Sequence, residues 1–324
     1  MSELVSMRIA YGQALVEVGR KYPDVVVLSA DVANSDHSYL FQESFPDRFI
    51  NVGIAEQCLV DAAAGLAYAG KIPIANTFAF LFATRALEMI RTHLCYGSAN
   101  VKLMGAYAGL SDSFDGPTHH SINDVAVLRS LPNMTVLVPS DAVCLTKLMP
   151  QAVEWPGPVY MRLNRNEVPV LFDERYEPRI GKAVRLRTGK DVTLVSNGLM
   201  VSRCLEAADR LRQAGIQAEV LEMHTVKPLD SETLLESAKE THALVTVEEH
   251  SEIGGLGGAV AEAVSGICPV PILRVGVPDC FAESGPYSEV LDRFGLSIER
   301  IVGMAQQAIQ RKSSGRFLHD RGAP

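Results

Sequence analysis

The sequence predicts an α/β protein made of two doubly wound domains. Short runs rich in Val, Ile and Leu recur along the chain, Ala- and Leu-rich segments separate them, and a more polar stretch interrupts this alternation at 171–190. Continuous apolar strands that alternate with helices are typical of a mostly parallel sheet covered on both faces. We therefore expect domains at residues 1–171 and 191–324, joined by a linker at 172–190. A chain of 324 residues is long enough for both.

The first half of the chain alternates helix and strand. Apolar positions at helical spacing predict a helix over 5–21, ending before Tyr22-Pro23. Buried strands are predicted at 24–29, 49–53, 72–76, 101–106, 135–138 and 159–163. Helices are expected at 58–69, from 77 to about 93, and after Asp141, which suits an N-cap. A Gly- and Ser-rich loop is predicted over 107–122.

The second half repeats the pattern. Strands are predicted at 192–196, 218–222 and 243–247, and helices at 202–213 and 231–239. A further helix starts inside the glycine cluster at 254–258. This cluster lacks both the Lys-Ser/Thr of a phosphate loop and a G-x-G-x-x-G register, so it favours close helix packing or a subunit contact. The tail at 311–324 is expected to fray.

Composition excludes several classes of protein. The chain is 47% hydrophobic and 21% charged, as expected of a globular protein, and its net charge of −8 argues against a nucleic-acid partner. No apolar run reaches the roughly 18 residues that span a bilayer, and no signal peptide is evident, so we expect no membrane partner and a cytoplasmic location. Six widely spaced cysteines without a C-x-x-C pair predict neither disulfides nor a metal site.

Glu56 is the candidate around which the other polar residues are arranged. It lies between a predicted strand and a strongly apolar helix, in Asn51-Val-Gly-Ile-Ala-Glu-Gln57. One interpretation is a first-turn acid favoured by the helix dipole. The other is a semi-buried carboxylate with a raised pKa that shares its proton with a ligand. Asp31 follows the preceding strand, where an open α/β sheet places its ligand contacts.

Six short motifs occur in the order and at the spacing of the transketolase family, which this sequence resembles. They are Ser29-Ala30-Asp31, Gly53-Ile54-Ala55-Glu56-Gln57, Thr77-Phe78, Asp115-Gly116-Pro117-Thr118-His119, Leu131-Pro132-Asn133-Met134-Thr135-Val136 and Pro139-Ser140-Asp141-Ala142. The likeness continues through 157–162 and 247–250. It implies a pyrimidine-binding thiamine-diphosphate fold followed by a transketolase C-terminal domain. Because no Gly-Asp-Gly metal motif precedes Glu56, the chain resembles the C-terminal subunit of a split, two-gene transketolase.

The resemblance implies a cofactor and a partner. Thiamine diphosphate would be the cofactor, with Mg²⁺ held by a separate N-terminal subunit in an α2β2 assembly. Glu56 would hold a proton against the pyrimidine ring, and Asp31 matches the family acid near the thiazolium. Phe78 matches the family's first aromatic residue. The second falls on Leu81 in strict register, so Phe80 or Phe82 is expected to stack on the ring.

The resemblance also implies a small sugar substrate, with a two-carbon ketol unit passing from a ketose (phosphate) donor to an aldehyde acceptor. His119 would move protons on the substrate and Asp115 would bind an acceptor hydroxyl. Two guanidiniums near a strand end suit an anion, and Arg165 lies where the family places its sugar-phosphate arginine. Tyr107 occupies a position where many members of the family have His, and His120 occupies one where they have Gln. The remaining substrate candidate is Arg162.

Three rival interpretations stay open from sequence. The β subunit of a 2-oxoacid dehydrogenase shares the layout and the glutamate, but generally lacks the Asp-Gly-Pro-Thr-His loop. A deoxyxylulose-phosphate synthase fragment would have lost its first domain. A non-catalytic scaffolding subunit would keep the fold without the chemistry, and intact Glu56, Asp115 and His119 argue against it.

Overall fold

The computed structural model describes residues 3–314. Its strands are β1 Leu4–Ser6, β2 Val25–Ser29, β3 Phe49–Asn51, β4 Ile72–Phe78, β5 Lys102–Ala106, β6 Thr135–Leu137, β7 Val159–Arg162, β8 Glu167–Pro169, β9 Val184–Arg187, β10 Val192–Ser196, β11 Ala218–Glu222, β12 Thr225–Lys227, β13 Leu244–Ser251 and β14 Ile272–Val277.

Helices alternate with most of these strands. They are α1 Met7–Lys21, α2 Ala33–Asp36, α3 Tyr39–Ser44, α4 Glu56–Tyr68, α5 Ala79–Ala83, α6 Leu87–Met89, α7 Asp124–Arg129, α8 Ala142–Glu154, α9 Met200–Gln213, α10 Ser231–Thr241, α11 Leu256–Val264, α12 Tyr287–Leu291 and α13 Ile298–Ser313. A π-helical turn extends α6 over Ile90–Tyr96. Across residues 3–314, no helix combines the length and apolarity needed to traverse a bilayer.

The sheet of the first domain has the strand order β12-β6-β7-β5-β4-β2-β3. Its pairs from β3 to β6 are all parallel, as the continuous apolar runs predict, and only the edge strand β12 pairs antiparallel, with β6. Carboxyl ends of parallel strands meet at one edge of a sheet. The segments that follow β2, β3, β4 and β5 therefore converge there.

The second sheet has the order β14-β13-β10-β11-β9, and its pairs are parallel except for β11 with β9. Two strands depart from the sequence-based division of the chain. β9 lies within the segment predicted as a linker, and β12 comes from the second half of the chain but joins the first sheet. The residue boundaries of the two domains stay a prediction.

Apolar helix faces cover both sides of each sheet. In the first domain, α4 buries Leu59, Val60 and Ala63 on one side, while Tyr11 and Leu15 of α1 are buried on the other. Each fully buried leucine of this kind contributes about 2 kcal/mol. The helix α13 includes 311–313, so the predicted fraying does not begin at residue 311. The rest of that prediction, at 315–324, lies outside the described residues.

Candidate active site

The candidate site lies at the carboxyl edge of the first sheet. Asp31 follows β2, Phe78 ends β4, and Tyr107 directly follows β5. Asp31 has φ 62° and Tyr107 has φ 59°, a left-handed conformation that is uncommon for residues other than glycine. Such residues cluster at functional sites, because the surrounding structure must hold them in place. Asp31 Oδ1 accepts a hydrogen bond of 2.8 Å from Asn51 Nδ2.

Glu56 is buried at the start of α4. Only 1% of its side chain is exposed, and its Oε2 accepts a hydrogen bond of 2.8 Å from Nη1 of Arg85, whose side chain is 51% exposed. Sequence reasoning missed this arginine, which lies 29 residues further along the chain. The ion pair and the helix N-terminus together hold a carboxylate in an otherwise apolar wall. The proton-sharing role expected of Glu56 stays a prediction.

Aromatic rings line the same edge. Phe78 stacks on Tyr107 with ring centroids 4.7 Å apart and an interplanar angle of 19°. Phe80 lies nearly parallel to Phe78, at 14° and 6.4 Å. The imidazole of His119 packs 5.4 Å from the ring of Phe80. Phe78 and Phe80 are both half-buried, so each has ring surface available to a ligand.

Two residues predicted to contact ligands lie in the interior instead. Phe82 is fully buried and packs edge-on against Tyr160, so it is a core residue and Phe80 is the second accessible ring. Arg162 is only 6% exposed, and its Nε and Nη2 donate to the Asp124 carboxylate at 2.7 and 2.9 Å. Its Nη1 donates to the Glu249 carbonyl at 3.1 Å. These contacts use most of its donors within the protein and argue against substrate binding by Arg162, which stays a prediction.

Two other guanidiniums approach Tyr107. Arg165, which sequence predicted, has its Cζ 5.0 Å from the Tyr107 ring centroid, and Arg8 has its Cζ 5.7 Å from it. Arg8 Nη1 also donates to the Tyr107 hydroxyl at 3.3 Å and to the Ser35 carbonyl at 2.8 Å. Sequence reasoning missed Arg8, because it lies on α1 and 99 residues from Tyr107. An anionic substrate group would find positive charge here.

The loop at 107–122 carries the remaining candidates. Asp115 is exposed, and the half-buried His119 places Nδ1 3.0 Å from Thr118 Oγ1. His120 is buried with no hydrogen-bond partner for either ring nitrogen, and burial lowers its pKa. The loop therefore offers one imidazole to a substrate, that of His119, while His120 stays mainly neutral behind it.

The C-terminal domain holds this loop in place through Glu249. Its Oε1 accepts a hydrogen bond of 2.7 Å from Leu110 N, and its Oε2 accepts one of 2.8 Å from the Tyr287 hydroxyl. Burial raises the pKa of Glu249 to about 7, although Arg162 opposes the shift. Gly109 has φ +65°, and a Cβ there would lie 2.5 Å from the Glu249 carboxyl carbon. Only glycine fits this close approach.

The site thus combines a buried carboxylate, two accessible aromatic faces, an imidazole and two guanidiniums. These groups suit a flat heteroaromatic ring beside a polar, anionic substrate. Within residues 3–314, no three His, Cys, Asp or Glu side chains are grouped so that they could hold a metal ion. The fold and site define a two-domain α/β protein with a ligand site at the carboxyl edge of its first sheet.

Comparison with known proteins identifies the family. Residues 3–170 match the family model for the transketolase pyrimidine binding domain, and residues 181–301 match that for the transketolase C-terminal domain. This chain therefore belongs to the transketolase family. The resemblance drawn from sequence motifs is confirmed, as is the predicted class of two α/β domains.

Several relatives are subunits of about the same length. The 6-deoxy-6-sulfo-D-fructose transketolase subunit of Clostridium sp. (strain MSTE9) is 41% identical over 307 residues, covering 95% of each chain. An apulose-4-phosphate transketolase subunit of Phocaeicola vulgatus is 36% identical and covers 96% of this chain and 99% of its own. A solved structure described as a split gene transketolase, inactive beta4 tetramer, is 46% identical with a TM-score of 0.90, covering 95% of this chain and 99% of its own. The chain is thus of the transketolase C-terminal subunit type.

Proposed function

We propose that this chain is the C-terminal subunit of a thiamine-diphosphate-dependent transketolase. With a separate N-terminal subunit, it would transfer a two-carbon ketol unit from a ketose donor to an aldehyde acceptor. The observation that carries the proposal is the buried Glu56 carboxylate at the sheet edge that also presents Phe78 and Phe80. The rival β subunit of a 2-oxoacid dehydrogenase has less support, because the relatives described above are transketolase subunits.

The residues present fit the pyrimidine end of the cofactor. Glu56, buried at the start of α4 beside Arg85, would hold a proton opposite a ring nitrogen. Phe78 and Phe80 would pack on the ring face, and their nearly parallel planes suit that role. Asp31 would lie towards the thiazolium. When bound, thiamine diphosphate supplies an electron sink for the two-carbon fragment.

The substrate side of the proposal involves the loop and the two arginines. His119 would exchange protons with substrate hydroxyls and the carbonyl, and Asp115 would accept a hydrogen bond from an acceptor hydroxyl. Arg8 and Arg165 would bind the charged end of a sugar beside Tyr107. Two relatives support an anionic sugar, because one is named for a sulfo sugar and the other for a sugar phosphate.

In this proposal the partner supplies the residues that bind the diphosphate end of the cofactor. We place the Mg²⁺ ligands on the N-terminal subunit, in an α2β2 assembly. The related split gene transketolase is described as an inactive beta4 tetramer, which supports a requirement for the second kind of subunit. The proposal includes a cytoplasmic location, which rests on the sequence alone.

The test is reconstitution. We expect the purified chain to show no ketol transfer with thiamine diphosphate and Mg²⁺, and addition of the cognate N-terminal subunit to restore turnover on a panel of ketose donors and aldehyde acceptors. In the complex, Glu56→Gln should lower kcat at least 100-fold, because an amide cannot share the proton. Glu43→Gln makes the same change at an exposed position and should leave kcat unaltered.

Two results would contradict this function. Full activity of the chain without its partner would remove the split-subunit interpretation. A near wild-type rate for Glu56→Gln, in a complex of normal mass, would leave Glu56 as a helix-dipole residue only. The donor panel should include 2-oxoacids, so that a dehydrogenase subunit would be recognised by its own substrate.

A further inference from the structure

Asp112 is a buried carboxylate beside the proposed substrate site. Its side chain is only 1% exposed, and its Oδ1 lies 2.9 Å from Arg165 Nη1 in an ion pair. Neither carboxylate oxygen accepts a well-aligned hydrogen bond from an N–H or O–H of the described residues. Its other titratable neighbours are the Asp115 carboxyl and the His119 imidazole. A buried carboxylate held in this way has one strong electrostatic partner, and that partner is Arg165.

Asp112 is ionised in neutral and alkaline solution. Burial, followed by the Asp115 carboxyl, raises the pKa of Asp112 to about 6, while Arg165 opposes the rise. The nearest imidazoles, His119 and His120, belong to the same loop. Above pH 7 the Asp112 carboxylate therefore neutralises one of the two cations beside Tyr107.

The second cation has no such partner. Arg8 donates to the Ser35 carbonyl and the Tyr107 hydroxyl, while the buried Asp36 carboxyl, which interacts electrostatically with Arg8, lies beyond ion-pairing distance. Its Nε is buried without a hydrogen-bond partner. The candidate site beside Tyr107 thus holds two guanidiniums, and of these two only Arg165 forms a direct ion pair with a carboxylate of the described residues.

We propose that Asp112 selects the charge of the substrate, so that this site prefers a sugar whose far end carries one negative charge, as a sulfonate does, to one that carries a doubly charged phosphate. This inference rests on the proposed transketolase function. Asp112 offsets the charge of Arg165, and the neighbouring Asp115 and Asp36 carboxyl groups add further negative charge, so the site can match at most one negative charge on a ligand. A phosphate monoester is largely a dianion above its second pKa of about 6, so its second charge is repelled by a buried carboxylate that cannot move into water.

The experiment compares matched acceptors in the reconstituted complex at pH 8. The acceptors are one aldose with a terminal hydroxyl, sulfonate or phosphate, and the quantity is the ratio of kcat/KM for sulfonate to that for phosphate. We expect the wild-type complex to favour the sulfonate at least 10-fold. Asp112→Asn keeps the side-chain shape and removes the charge, so it should shift the ratio towards phosphate by 10-fold or more. Glu167→Gln, an exposed change two residues after Arg165, should leave the ratio unchanged.

Binding of unreactive ligands gives a second readout. Inhibition constants for glycerol 3-phosphate and 2,3-dihydroxypropane-1-sulfonate should follow the same order, and Asp112→Ser serves as the test variant if the Asn variant does not assemble. A wild-type preference for phosphate, or an unchanged ratio in an intact Asp112 variant, would overturn the role of Asp112 alone. Absence of turnover with every acceptor and donor would instead overturn the proposed function, and this inference with it.

Discussion

At the scale of single residues, two arginines near the end of β7 have opposite roles. Arg162 is the last residue of the strand and points into the protein, where Asp124 and the Glu249 carbonyl use its donors. Arg165 lies three residues later in the chain, and its side chain is 32% exposed beside Tyr107. The sequence analysis proposed both as anion ligands. The position of a residue near a strand end does not reveal whether its side chain pairs with a buried carboxylate, as Arg162 does with Asp124.

The Arg162 ion pair should act on stability. Arg162→Gln leaves Asp124 buried without its charge partner, so the free energy of unfolding should fall by about 3–5 kcal/mol. Burial alone would raise the pKa of Asp124, but the charge of Arg162 and the other partners of this carboxyl group together outweigh the effect, and the pKa is lowered. Urea denaturation of the isolated chain measures this loss of unfolding free energy. Arg175→Gln, which breaks an ion pair whose arginine is 90% exposed, is the control and should show no measurable loss.

A different outcome for Arg162→Gln would restore the substrate role. Unaltered stability in urea, together with a raised KM for every anionic acceptor, would mean that Arg162 acts in the site. The structure argues otherwise, because Asp124, Ser121 and the Glu249 carbonyl engage four of the five N–H donors of this buried guanidinium.

At the scale of elements, the loop at 107–122 depends on a contact from the other domain. Leu110 N donates to Glu249, and Gly109 allows the chain to pass close to that carboxyl group. A loop positioned by a rigid element of a neighbouring domain can carry functional groups accurately. Through this contact, the positions of Asp112, Asp115 and His119 depend on the C-terminal domain.

Gly109→Ala tests this coupling. The substitution combines strain at φ +65° with a Cβ 2.5 Å from the Glu249 carboxyl carbon. Gly157→Ala is a matched control, because Gly157 has φ +83° but nothing within 4 Å of an added Cβ. The control should lose about 1 kcal/mol from backbone strain alone. Gly109→Ala should lose at least twice as much free energy of unfolding and lower kcat/KM at least 10-fold.

Thermal unfolding of both variants and steady-state kinetics of their complexes are the measurements. Equal losses of stability for the two alanines, with normal kinetics, would show that Glu249 does not position the loop. The difference between the variants, rather than either value, isolates the contact, because both carry similar backbone strain.

Several elements with a strong internal pattern were predicted, whereas the helix α13, the strand β14 and several of the shortest strands were not. The sequence predicts β10 and β11 at their observed bounds, because each is a short segment with apolar or β-branched residues next to a helical pattern. The three-residue strands β1 and β12 were missed, since they are too short to show a period. The helix expected to start at 77 instead follows Phe78, because Thr77 and Phe78 extend β4 alongside β5.

At the scale of the whole molecule, the predictable part of the site is the part that follows parallel strands in order. The residues Asp31, Glu56, Phe78 and Tyr107 lie at one edge of the sheet because the carboxyl ends of its parallel strands converge there. Residues that reach the site across the fold were not foreseeable. Three such residues contact the site from elsewhere in the fold: Arg8 from the helix α1, Arg85 from a turn after α5, and Glu249 from the second domain. No local sequence pattern distinguishes them.

The junction of the two domains also contains Glu222, and its protonation should link stability to pH. Its carboxyl group is buried between Ser140 and Tyr176, whose hydroxyls donate to it, and burial raises its pKa from 4.5 to about 7. The folded chain therefore binds more protons than the unfolded chain between those values, so this group's stabilising contribution is fully present below pH 4.5 and is lost as pH rises through 7. At pH 8 the loss approaches about 3 kcal/mol.

The wild-type curve alone does not isolate this effect, because His224, whose pKa burial lowers to about 4, acts in the opposite direction between pH 4 and 6.5. The difference between Glu222→Gln and wild type removes that contribution. We expect the variant's free energy of unfolding, relative to wild type, to rise steadily from pH 5 to pH 8, measured by urea denaturation at each pH. A difference that stays constant with pH would mean that Glu222 is ionised in the folded chain throughout this range, held by its two hydroxyl donors against the effect of burial.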